Sequence, residues 1–117
     1  MSSGTDEENR TVLVQGVFDG KRVTGIKQLF AVNLAKSGGQ HFGSRLLFLP
    51  DNTLLMSIGD GGNTPQRIGN MLARDHAQSL ASHTGKILHL TDAGQPVGKG
   101  AMAGQGNALP EIYSYGH

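Results

Sequence analysis

Apolar residues along this chain come in short runs separated by turn chemistry, and that spacing predicts strands. Thr11-Val12-Leu13-Val14-Gln15-Gly16-Val17-Phe18 is rich in β-branched residues and reads as a strand. Asp19-Gly20 is a hairpin-turn pair, so the mixed segment Val23 to Val32 is read as the returning strand, although its spacing also allows a short helix. The glycine-dense loop Ser37 to Ser44 leads into Arg45-Leu46-Leu47-Phe48-Leu49, whose continuous apolar run suits a strand buried on both faces. Pro50-Asp51-Asn52 supplies a turn, with Asn52 tolerant of left-handed backbone, and Thr53 to Ile58 returns as the partner strand. Residues 64–84 read as an elaborated loop, with room for two helical turns between Met71 and Leu80. Gly85 to Thr91 and Pro110 to Tyr115 are further short strands joined by a glycine-rich irregular stretch over 95–109. Leu13, Leu47, Leu49, Leu55, Ile58, Ile87 and Leu88 are the expected core.

Short strands divided by turns predict an all-β fold: a sandwich, a barrel or a propeller. The last strand has no following partner in the sequence, which suits a piece of a larger sheet assembly. No repeat recurs at the ~40 to 50 residue period of familiar propeller signatures. The 18 glycines among 117 residues agree with a chain dominated by turns. Residues 1–10, with Asp6-Glu7-Glu8, read as a frayed polar terminus, and residues 11–117 as one β unit.

Charge narrows the function classes. Ten basic against nine acidic residues leave +1, and no basic run offers a surface to nucleic acid or to an acidic membrane. With 0 cysteines, disulfides, thiolate zinc sites and cysteine nucleophiles are all excluded. No stretch approaches the ~20 apolar residues of a membrane span, and the acidic start lacks the positive charge and apolar core of an export signal.

Chemistry concentrates in the loops. His41 stands where a glycine-rich loop feeds a strand, and its imidazole can take a proton near neutral pH; the plainer alternative is a surface histidine. Asp60, in Gly59-Asp60-Gly61-Gly62, can orient an imidazole through a ring N–H or simply cap backbone amides in a turn. His76, His83 and His89 lie seven and six residues apart, off the spacing that places two ligands on one helical face, and no metal site is expected. Gly59 to Asn63 lacks the lysine and hydroxyl of a phosphate-binding loop. Tyr113 and Tyr115 share one strand face, where they can stack on a sugar ring or serve packing.

Six segments taken in order carry a resemblance: Gln40-His41-Phe42-Gly43-Ser44-Arg45-Leu46, Leu49-Pro50-Asp51, Ser57-Ile58-Gly59-Asp60, His76-Ala77-Gln78-Ser79-Leu80, His83-Thr84-Gly85-Lys86-Ile87-Leu88 and Pro110-Glu111-Ile112-Tyr113-Ser114-Tyr115-Gly116-His117. Over residues 40–117 the chain resembles the soluble glucose/sorbosone dehydrogenases, quinoproteins that oxidise aldose sugars with pyrroloquinoline quinone. The resemblance implies a partial six-bladed β-propeller of about two to two and a half blades at ~40 to 50 residues each. It also implies His41 as the base that takes the proton from the anomeric hydroxyl, Asp60 as its holder, and Gln40 where the family often has a sugar-contacting aspartate. Lys86 is structural in this comparison. The family motif runs on past Gly116-His117 into quinone-holding residues, so pyrroloquinoline quinone and calcium are expected to bind a longer protein and not this chain tightly. The remaining expectations are an external electron acceptor, periplasmic or secreted location for the full-length family, an inactive isolated chain, and self-association through open sheet edges. The alternative is a non-enzymatic propeller remnant that binds a sugar or a partner chain.

Overall fold

A computed structural model describes residues 1–39, 41–62 and 67–117 of the chain. The elements are strands β1 (Ser2–Gly4), β2 (Asn9–Phe18), β3 (Val23–Ala31), β4 (Gly43–Phe48), β5 (Thr53–Ile58), β6 (Arg67–Ile68) and β7 (Met71–Leu72), a 3₁₀ turn at Ala73–Gln78, then β8 (Lys86–Thr91) and β9 (Ile112–Tyr115). Every strand pairing is antiparallel. A three-stranded sheet, β1-β2-β3, faces a four-stranded sheet, β4-β5-β8-β9, and β6-β7 form a small separate ribbon.

Both predicted turns form by the chemistry their residues offer. Asp19 Oδ1 accepts from the backbone N–H groups of Lys21 and Arg22, both at 2.9 Å, closing the β2-β3 hairpin. Between β4 and β5, Asp51 Oδ1 accepts from the Thr53 hydroxyl at 2.6 Å, and Asn52 takes a φ of +66°. These bonds stabilise the ionised carboxyls, so Asp19 and Asp51 both sit below the usual carboxylate range.

The core lies between the two larger sheets. Leu54, Met56 and Ile58 of β5 meet Leu88 and Leu90 of β8, Ile112 of β9, Leu13 of β2 and Val32 just past the end of β3. Alternation along a strand has a period of two, so the intervening residues of β5 and β8 point away from this core. Leu55 and Ile87 are therefore only half-buried, and Leu49 likewise, while Leu13, Ile58 and Leu88 are core as expected.

Two expectations need correction. The Arg45 to Leu49 run is not a strand buried on both faces: β4 is an edge strand, with Leu47 58% and Phe48 66% exposed. An all-apolar run signals two faces that want cover, and here neither face of β4 receives it. Nor is the start of the chain frayed: β1 pairs with β2 through Ser2 to Gly4, and β2 begins at Asn9, which is buried. The 64–84 loop holds, among its described residues, a ribbon of two two-residue strands and a six-residue 3₁₀ segment at Ala73–Gln78, which is two helical turns of the tighter kind between Met71 and Leu80.

Candidate functional site

One end of the four-stranded sheet gathers the chemistry. There the start of β4, the end of β5, the start of β8 and the end of β9 lie side by side, joined in a transverse chain of backbone bonds. Gly59 N–H donates to Phe42 O at 2.9 Å, Gly85 N–H to Gly59 O at 3.1 Å, and His117 N–H to Gly85 O at 3.0 Å. His41 and Asp60 each sit one residue beyond the first of these bonds. Residues 19 apart in sequence are thus brought together at the mouth of the β4-β5 pair.

His41 Nδ1 lies 3.5 Å from Asp60 Oδ1, with the two side chains 58% and 34% exposed. The same Oδ1 accepts from the Gly62 N–H at 2.8 Å, so the carboxylate is both a turn cap and an imidazole partner. With Nδ1 facing the carboxylate, the other ring nitrogen is left as the proton acceptor, the division of labour that general-base catalysis by histidine requires. A 3.5 Å separation is longer than a close hydrogen bond.

The backbone around this pair is unusual. His41 has φ +54°, a left-handed conformation uncommon for residues other than glycine. Gly59 allows it, since a Cβ there would stand 2.0 Å from the His41 carbonyl oxygen. From below, Asn9 Nδ2 donates to Gly38 O at 2.9 Å, and Asn9 and Lys36 exchange both backbone hydrogen bonds, tying β2 to the loop that carries His41. The Lys36 ammonium lies 3.9 Å over the Phe42 ring, and burial pushes its pKa down. Sequence reasoning found His41 and Asp60 but not Asn9, Lys36, Gly59 or Gly62; the density of glycine in both loops was the available signal. Gln40, the expected sugar contact, lies outside the described residues.

Lys86 is structural, as the resemblance implied. It is 0% exposed, and its ammonium donates to the carbonyls of Thr84, Ala77 and His76 at 2.7, 2.8 and 3.1 Å. Burial lowers its pKa to about 8. His83 is buried beside it. Its Nδ1 accepts from the Asn33 N–H at 2.9 Å and its Nε2 stands 3.4 Å from Glu111 Oε1. Desolvation holds His83 below its ordinary value, against the pull of Glu111 in the opposite direction.

The histidines do not converge on a metal: no group of three or more metal-ligating side chains occurs among the described residues. His89 instead bonds the Thr53 hydroxyl at 2.8 Å, and its ring meets Tyr113 edge-on. The cavity that His41 helps to line has a volume of about 10 Å³, room for one water. The basic side chains along it are engaged with the chain itself, Lys36 as described and Arg10 with the carbonyls of Val32 and Asn33. A quinone bearing three carboxylates does not fit this cavity, and the described residues aim no cationic cradle at it.

Comparison with known proteins gives this geometry its context. The family model for glucose/sorbosone dehydrogenase matches residues 1–117. The chain belongs to the glucose/sorbosone dehydrogenase family. An uncharacterized protein of Synechocystis sp. is 47% identical over 116 residues, 99% of this chain and 28% of that protein. The aldose sugar dehydrogenase YliI of Escherichia coli is 31% identical over 98 residues, 84% of this chain and 24% of that protein. The crystal structure of the soluble aldose sugar dehydrogenase of Escherichia coli in the apo form superposes with a TM-score of 0.77 at 29% identity, covering 97% of this chain and 31% of that one. The chain therefore spans about a third or less of the length of these relatives, and its antiparallel sheets match a portion of a β-propeller sugar dehydrogenase.

Proposed function

We propose that this chain carries the proton-accepting part of an aldose oxidation. His41 takes the proton of the anomeric hydroxyl as the hydrogen on the same carbon leaves with its electron pair, and the carbon–oxygen bond becomes the carbonyl of a lactone. Asp60 holds the imidazole so that the accepting nitrogen faces outward. The observation that carries this reading is the 3.5 Å approach of His41 Nδ1 to Asp60 Oδ1, with the ring more than half exposed. The electron pair would be taken up by pyrroloquinoline quinone held with calcium in a longer protein, with an external acceptor beyond it; the described residues would supply the proton acceptor and its carboxylate, and not the quinone's seat. Because the described residues do not form its seat, the quinone and calcium belong to a longer protein that contains this sequence, and the isolated chain does not turn over. We place that protein in the periplasm or outside the cell and take the chain as about two to two and a half of its six blades.

The test begins with the DNA on both sides of the reading frame. A frame that extends into cationic quinone ligands supports the enzyme, and the extended protein, given the quinone and calcium, should reduce a dye when glucose or another aldose is added. In it His41→Ala should lower kcat on the order of 100-fold to 10,000-fold, the usual worth of a general base. A silent His41→Ala sinks the reading.

One observation favours a second reading. The β4-β5-β8-β9 sheet leaves Leu47, Leu55 and Ile87 lining an open apolar hollow on the face away from the core. A non-enzymatic remnant that covers this face with a partner chain needs neither quinone nor His41, and quinone titration separates the two.

A further inference from the structure

We propose that Gly62 is a positioning residue for His41, its missing side chain seating the imidazole and its amide fixing the carboxylate that faces it. This rests on the reading of His41 as the proton acceptor. The observations are steric and directional. A Cβ at Gly62 would stand 2.8 Å from His41 Cδ2, 2.9 Å from Cγ and 3.1 Å from Nε2, so the ring lies directly against the bare Cα. The Gly62 N–H reaches Asp60 Oδ1 at 2.8 Å, and that oxygen is the one 3.5 Å from His41 Nδ1. Ring and carboxylate are thus registered against a single peptide unit, whose φ of +77° suits glycine.

In the proposed seat Nδ1 donates toward Asp60 and Nε2 is the nitrogen left to accept. A methyl group at position 62 drives the ring off its seat, removes the Nδ1 preference and misplaces the accepting nitrogen. A displacement near 1 Å costs about 100-fold in rate.

The strain of placing alanine at positive φ must be separated from the contact with His41. Gly69 is the control: its φ is +60° and a Cβ there meets nothing within 4 Å. Long-range hydrogen–nitrogen correlation spectra of the histidine-labelled chain read the tautomer, and nuclear Overhauser contacts read the seat. The parent should show a cross-peak between His41 Hδ2 and Gly62 Hα and a dominant Nδ1–H tautomer. Gly62→Ala should lose the cross-peak and mix the tautomers, whereas Gly69→Ala keeps both. His41 signals unchanged in Gly62→Ala, or lost equally in Gly69→Ala, overturn the proposal. If Gly62→Ala does not fold, the parent decides, because absence of its cross-peak or of the Nδ1–H tautomer is equally fatal. In the extended, quinone-loaded protein, Gly62→Ala should lower kcat with KM within about twofold of the parent. A silent His41→Ala there removes the catalytic reading but not the seat, and an unmoved imidazole removes the seat but not the catalytic reading.

Discussion

At the scale of single residues, the buried cation is the most consequential feature outside the candidate site. Lys86 joins the 3₁₀ turn to the start of β8, because two of its three acceptors, the His76 and Ala77 carbonyls, belong to that turn. Gly85 packs there as well: a Cβ on it would stand 2.6 Å from the Ala77 Cβ. Lys86→Met keeps much of the volume but strips the donors, and unpaired buried groups cost ~1 to 3 kcal/mol each. The expected loss is about 2 to 3 kcal/mol, measurable as a lower denaturant midpoint with unchanged slope. His83 supplies a pH dependence. Its folded pKa lies below 6.5, the ordinary value at which the unfolded chain takes up the proton. Just below 6.5 the unfolded state therefore binds more protons, and stability falls as pH drops through that window. The melting temperature should decline from about pH 7 to about pH 5, with a shallower slope in His83→Gln, as thermal scans across that range will show. An equal slope in the variant would assign the dependence to other groups.

Among the elements, β5 and β8 sit at the centre of the four-stranded sheet, each paired on both sides, and hold most of the core residues. β3 is different: it lies at a sheet edge, with Val23 and Ile26 exposed. Local opening follows buried contacts and backbone pairing. Amide exchange should accordingly be slowest at Leu54 to Ile58 and Leu88 to Leu90, and fastest among strand residues at the β2-β3 hairpin tip. Uniform exchange across these segments would mean that the two sheets do not open separately. The edge position of β4 matters for the site, because His41 is carried on the loop entering a strand paired on one side only. Anchoring falls instead to the bonds from Asn9 and Gly59.

As a whole the molecule is a thin slab, 43 × 35 × 16 Å, with a radius of gyration of 14.5 Å. A compact chain of this length is expected near 13 Å. The difference is what an open, two-sheet arrangement predicts, and its outer face presents Leu47, Leu55 and Ile87 to water. Isolated, the chain should self-associate over micromolar concentrations in sedimentation. The double variant Leu47→Glu, Ile87→Lys should shift it toward monomer. Association undiminished in that variant would move the contact to the other exposed apolar patch, Phe18 and Val23 at the hairpin tip.

The sequence by itself determined the six longer strands and both hairpin turns, because turn residues act locally, and the family order of its motifs put His41 with Asp60; β1 and the β6-β7 ribbon escaped it. Leu54, Leu55 and Met56 are all apolar, so composition could not say which of them faces the core; strand register and the position of the second sheet did. Leu47 was expected inside for the same reason and is outside, since hydrophobicity states a demand for cover without saying whether cover is present. The seat of His41 belonged to tertiary structure altogether. Glycine in a turn is ordinary, and only the folded backbone reveals that a missing side chain at position 62 makes room for an imidazole.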